Sequence, residues 1–201
     1  MKLGGFVTQY YQLEYNNGKS NYSQIETINN SQENGGSNFA ISISIGGEYK
    51  ALVGDQTSKA FKQGVKLDNE NYIVNIPFQD YEWKISNEES TILDYKVIKA
   101  ISEKENIIAW FAPDIKVNLG PNQINGLPGL ILKSETQLKN KLETKLIFEA
   151  TKANLNPKKF TKEKPMKGKE IAQEEFKKLQ EESNEKMKQS FSSEGVKTKI
   201  D

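Results

Sequence analysis

The sequence predicts a mainly β protein, built as a curved antiparallel meander sheet (an open half-barrel in its most specific form) with one C-terminal helix. Three observations carry that expectation. Short segments alternate apolar and polar residues at period two, spaced by roughly ten residues, with no helical period between them. Residues 151–201 differ from the body: they hold 13 Lys against 9 acids and no Tyr or Trp, whereas residues 1–150 hold 15 Lys against 18 acids. Hydrophobic residues make up only 35% of the 201, below the ~45–50% (Gly included) of a typical globular chain, so part of the chain lies outside any core.

Taken in order, Tyr11, Leu13 and Tyr15 alternate with Gln12 and Glu14, and Asn16-Asn17-Gly18 then turns the chain into Ser20–Ile28. Asn29–Asn38 is polar loop. Phe39–Ile45 alternates large apolar with small residues and is the clearest half-buried strand, with Glu48–Val53 as its hairpin partner after Gly46-Gly47. Further strands are expected at Asn71–Ile76, Tyr81–Ile85, Tyr95–Ser102, Ile107–Ala112, Leu130–Thr136 and Thr144–Ala150. Beyond them, Asn154–Gly168 combines Pro157, Pro165 and Gly168 with many Lys and reads as a linker. Lys169–Phe191 is rich in Glu, Lys, Gln, Ala, Met and Leu, all good helix formers. Its apolar stripe of Ile171, Phe176, Leu179, Met187 and Phe191 is incomplete, which predicts a helix loosely docked or free. The expected organisation is therefore an antiparallel β domain over 1–153, a Lys/Pro linker over 154–168, a helix over 169–192 and a disordered tail over 193–201.

Composition excludes much chemistry. All 28 cations are Lys, and the chain has no Arg, no His and no Cys. Nucleophilic triads that need His or Cys, thiolate chemistry and disulfides are ruled out. Zinc, copper, haem and iron–sulfur centres lose their usual ligands. Without Arg there is no bidentate fork for phosphate or guanine. No stretch approaches the ~20 apolar residues that span a bilayer, and no apolar run near Met1 reads as a secretory signal. Neither a P-loop nor a Gly-x-Gly-x-x-Gly pattern occurs.

One segment is distinctive. Trp110-Phe111-Ala112-Pro113-Asp114-Ile115 leads through Gly120-Pro121 to Gly126-Leu127-Pro128-Gly129-Leu130-Ile131. Pro128 fixes φ and lacks an N–H, while Gly126 and Gly129 permit positive φ or close backbone approach, so the hexapeptide is a tight turn entering a strand. With Trp83-Lys84-Ile85, Thr91–Lys96 and Lys99-Ala100 before it, the segment resembles the GLPGLI family of exported Bacteroidota proteins. Departures are Asn122 and Ile124, where that family carries aromatic residues, and Asn125, where it carries Gly. The resemblance implies a curved antiparallel sheet and a periplasmic or outer-membrane-associated protein, often encoded near TonB-linked receptors. It also implies a signal peptide and an opening strand, both expected to be missing before Met1, and it implies no established reaction.

Other candidates are weaker. Asp80, Glu82 and Asp114 stand beside aromatic residues, as a glycosidase carboxylate pair would. Asp68-Asn69-Glu70-Asn71 offers oxygen ligands without the ordered loop of a calcium site. The Lys clusters at 158–159 and 162–169 are interleaved with acids and read as solvated linker. The leading expectation is a non-enzymatic envelope protein binding an apolar small molecule, a lipid or an outer-membrane protein on its concave sheet. Its binding residues would be Trp110, Phe111, Pro113, Gly126, Leu127, Pro128, Gly129, Leu130 and Ile131. An adaptor working through the C-terminal helix is the alternative, and a carboxylate-dependent hydrolase ranks last. No cofactor, metal or nucleic acid is expected.

Overall fold

The computed structural model describes residues 8–25, 52–138, 144–155, 157, 160 and 165–194. The expected strand at Phe39–Ile45, the loop at Asn29–Asn38 and most of the partner strand at Glu48–Val53 lie outside the described residues.

The fold is mainly β, rich in antiparallel pairs, with one C-terminal helix and no closed barrel among the described residues. Its strands are shared between two sheets. The first contains β1 (Tyr11–Asn16), β2 (Lys19–Gln24), β3 (Leu52–Asp55), β4 (Ala60–Leu67) and β5 (Glu70–Pro77), with β11 (Lys169–Ala172) added beside β5. The second runs β10 (Lys145–Glu149), β9 (Leu130–Gln137), β8 (Ile107–Ala112), β7 (Tyr95–Ser102), β6 (Lys84–Ile92). The helix α1 covers Gln173–Glu194.

Two-residue turns set the hairpin registers. Asn17 and Gly18 adopt φ of 48° and 82° between β1 and β2, the left-handed pair that matches strand twist. Asp68 and Asn69 do the same between β4 and β5 at φ 47° and 67°, and Leu93 and Asp94 between β6 and β7 at 50° and 64°. The oxygen-rich stretch Asp68–Asn71 is thus a hairpin turn running into β5.

The break between the sheets falls at residues 78–83. Tyr81 and Trp83, expected in a strand over Tyr81–Ile85, instead stack on each other at 5.2 Å in the connection. The strand begins at Lys84 and runs to Ile92. Turning both rings inward buries more apolar surface than an edge position in a sheet offers.

The core consists of three contiguous clusters. The first joins Leu52, Phe61, Val74 and Ile76 of the first sheet to Leu119 and to the half-buried Phe148 of β10, so it glues one sheet to the other. Tyr11 meets Phe148 edge-on at 6.2 Å. The second cluster lies on the inward face of the second sheet and includes Ala100, Ala109, Phe111, Leu127 and Ile131. The third, around Val97, Ala112, Ile115 and Leu132, caps one end of its opposite face.

The C-terminal segment departs from the expected single helix. Lys169–Ala172 pairs parallel to β5, with Ile171 opposite Val74, and the helix starts only at Gln173. Ile171 is buried in the first cluster. Covering that side chain and pairing the β5 edge outweigh the helix preference of four residues. The first half of the helix is docked on the first sheet. Phe176 is 8% exposed and packs on Tyr72 at 5.6 Å. Ser183 Oγ donates to Asp68 Oδ1 at 2.8 Å, and Glu174 and Glu175 complement the helix N-terminus. No described helix is long and apolar enough to cross a membrane.

Candidate functional site

The motif loop between β8 and β9 is built by its own backbone. Leu119 and Asn125 form an isolated antiparallel bridge. Gly120 N donates to Ile124 O at 2.8 Å, and Gly126 N donates to Asn118 O at 3.1 Å. Leu130 N and Ile131 N then donate to Ile115 O and Leu119 O at 3.1 and 3.0 Å, so the loop lies along the start of β9. Trp83 Nε1 donates to Asn125 O at 2.9 Å and ties the connection between the sheets to the loop.

The two motif glycines divide the work. Gly126 has φ +92°, and an added Cβ would make only ordinary contact, its nearest neighbour being Trp83 Nε1 at 3.7 Å. Gly129 lacks a positive φ, but an added Cβ would sit 2.2 Å from Ala112 O, so its role is close approach of two backbones. Gly120 instead leaves room for the Ile131 side chain, whose Cβ an added Cβ would approach to 2.7 Å.

The expected binding residues part company. Phe111, Leu127 and Ile131 are 1%, 1% and 3% exposed and belong to the second core cluster. Gly129 is buried, Leu130 and Pro113 are half-buried, and Gly126 and Pro128 are exposed. The hexapeptide therefore places its apolar side chains mainly inside the protein. Trp110 is different: it is half-buried on the opposite face of β8, with Lys99 Nζ 5.7 Å from its ring centroid.

Beyond the end covered by the third cluster, against which Trp110 packs, that opposite face of the second sheet is left open by the core. Residues directly across an antiparallel pair share a face. The registers therefore align Lys84, Ile101, Ile108, Glu135 and Ile147 in one row and Lys99, Trp110, Lys133 and Glu149 in the next. Ile108 is 36% and Ile147 52% exposed. Charges around them are paired: Lys99 with Glu88 at 2.7 Å, Lys133 with Glu149 at 3.2 Å and Lys145 with Glu135 at 3.0 Å. The hydrogen bond from Lys145, with Lys133 nearby, holds the Glu135 carboxyl below its usual range.

A second concavity, of about 240 Å³, lies where β5, the connection between the sheets, the motif loop and the start of α1 meet. Tyr81 is 6% exposed and its hydroxyl donates to Gln123 O at 3.3 Å. Burial, with a smaller push from Glu105, raises its phenol to about 12. The sequence reading missed the row of isoleucines, although strand alternation plus register would find it. It also missed this cleft, which gathers residues from four separate segments.

The carboxylates considered for catalysis are occupied with local structure. Asp80 Oδ1 accepts from Glu82 N at 3.0 Å, and Glu82 pairs with Lys104 at 2.8 Å. Asp114 is exposed just beyond β8, in the motif loop. Among the described residues, no group of three or more potential metal-ligating acidic side chains converges.

Two solved structures share the fold. PNGF-II in a C2 crystal form is 19% identical, with a TM-score of 0.55, covering 88% of this chain and 30% of that one. PNGF-II in a P21 form is 18% identical, with a TM-score of 0.54, covering 89% and 31%. At these identities the likeness is one of fold, and the chain spans only about 30% of the PNGF-II chain in the C2 form. No curated protein matches. The segment that builds the end of β7, β8, the motif loop and the start of β9, residues 101–133, matches the family described as "Protein of unknown function (Porph_ging)".

Proposed function

We propose that the chain is a non-enzymatic, envelope-associated binding module of the GLPGLI type, which docks a protein partner on the open face of its second sheet. The observation that supports this reading is the row Ile101, Ile108 and Ile147, beside Trp110, with paired charges around it. Aromatic and aliphatic anchors ringed by charge are what a protein interface needs at its centre. The likeness to one part of a longer solved chain suits a module that works with a partner. Envelope placement rests on the resemblance of Trp83–Ile131 to exported proteins. An outer-membrane protein is the partner class that resemblance favours.

An apolar small molecule or lipid is the other occupant considered, and the filled inward face of the second sheet gives it less room. The adaptor reading keeps one supporting observation, Met187 at 54% exposed on the distal half of α1.

The test is native mass spectrometry of the protein isolated from its own envelope fraction, wild type beside Ile108→Lys/Ile147→Lys. A stoichiometric protein partner that the double variant loses, with circular dichroism unchanged, supports the proposal. A partner retained by the variant, or a bound lipid in place of a protein, overturns it.

A further inference from the structure

The cleft between the two sheets differs in chemistry from the charged outer face. It is lined by Ile76, Pro77, Phe78 and Tyr81 together with Gln79, Gln123 and Gln173. Among the described residues the three carboxamides take part in no side-chain hydrogen bond; the backbone oxygen of Gln123 accepts from Tyr81 and Asn125. Each carboxamide offers two N–H donors and an oxygen acceptor. They come from the connection between the sheets, the motif loop and the first residue of α1, so the fold brings together groups that are remote in sequence.

We infer that this cleft is a subsite for one neutral, hydroxyl-rich ring, a single sugar residue. The geometry argues class and size together. Among the described residues no Lys, Asp or Glu lines the cleft, so a charged ligand would lose its water without gaining a counter-charge. A ring of hydroxyls needs neighbouring donors and acceptors in alternation, which carboxamides supply, and it presents C–H faces that pack on aromatic and aliphatic walls. The phenol of Tyr81, kept neutral by burial, adds a hydroxyl without adding charge. At about 240 Å³ the space falls short of the ~300–1,000 Å³ typical of larger ligands and suits one ring. A peptide would also use carboxamides, but it needs a groove that continues past one ring.

The site lies away from the isoleucine row, so its test is independent of the partner-docking proposal. The full chain, labelled with ¹⁵N, is titrated with the methyl glycosides of glucose, galactose and mannose and with N-acetylglucosamine, while the Gln side-chain amide resonances are followed. At least one sugar should shift the amides of Gln79, Gln123 and Gln173 saturably, with a dissociation constant of the order of millimolar. Gln123→Ala and Gln173→Ala, both at half-buried positions, should each weaken that affinity by roughly tenfold without changing the rest of the spectrum. Glucuronate should bind more weakly than the glucoside. No shift with any sugar overturns the inference. So does a stronger response to N-acetyl-glycylglycine amide, which would make the cleft a peptide site, or an affinity unchanged in both variants.

Discussion

Replacing Gly129 by Ala is the sharpest probe of why the motif has its composition. The added Cβ would lie 2.2 Å from Ala112 O, 2.7 Å from Ala112 C and 2.9 Å from Pro113 Cα. Ordinary contacts between such atoms are about 3.5–4.0 Å. All three neighbours are backbone, so no side chain can swing away. Relief requires the end of β8 and the start of β9 to separate, against the ladder bonds that pair Phe111 with Ile131 and Ala112 with Leu130. Overpacking costs about 1–3 kcal/mol, and loosening those bonds about 1 kcal/mol more. Gly126→Ala meets nothing nearer than 3.7 Å and bears only its left-handed backbone, about 1 kcal/mol. Urea unfolding followed by the fluorescence of Trp83 and Trp110 separates the two. With a slope of about 1–3 kcal/mol per molar, Gly129→Ala should lower the midpoint by about 1–2 M, and Gly126→Ala by less than half as much. If Gly126→Ala proves the more harmful, or Gly129→Ala unfolds within about 0.5 kcal/mol of the parent, the close-approach argument fails.

Other outcomes follow from single side chains. Because burial favours the neutral phenol, Tyr81 stabilises the fold fully below pH 10, and this contribution is lost as pH rises through about 12. It amounts to about 2–3 kcal/mol, and phenolate absorbance should show one tyrosine titrating late, absent in Tyr81→Phe. Phe176→Ala should cost about 3–5 kcal/mol, since its ring is buried against Tyr72; a thermal melt unchanged by it would mean that α1 is not docked as described. Leu93 holds φ 50° in the β6–β7 turn, so Leu93→Gly should leave stability level or raise it by up to about 1 kcal/mol. A clear loss in the same melt would show instead that the half-buried leucine side chain contributes more than its backbone costs.

Legibility in the sequence tracked how local the deciding contact was. Tyr95–Ser102 and Ile107–Ala112 match the strands expected, because both are short apolar-rich runs of strand length, covered on one face by the second cluster and at one end of the other face by the third. β4 escaped notice because Gln63 occupies an inward position and Gly64 follows it, which interrupts the apolar pattern. β11 escaped because Lys169–Ala172 carries helix-forming residues, and only Val74 across the sheet makes Ile171 a strand residue. The motif was half legible. Two glycines and a proline announced a tight turn, but which glycine needed the positive φ and which the close approach depends on Ala112, a residue of the preceding strand. The cleft was not legible, since nothing in the sequence links Gln79, Gln123 and Gln173.

The parallel strand β11 has a consequence in time. Its side-chain bond from Asn75 to Glu170 spans 95 residues, and that from Ser183 to Asp68 spans 115. During synthesis the β4–β5 hairpin therefore emerges long before its last neighbour exists, with the β5 edge unpaired and its row of backbone donors and acceptors open to another chain. Closure of so distant a pair is also slow once the chain is complete. The first sheet thus depends for its protection on a segment synthesised well after β5, and a chaperone or binding partner that shelters the β5 edge would act in that interval.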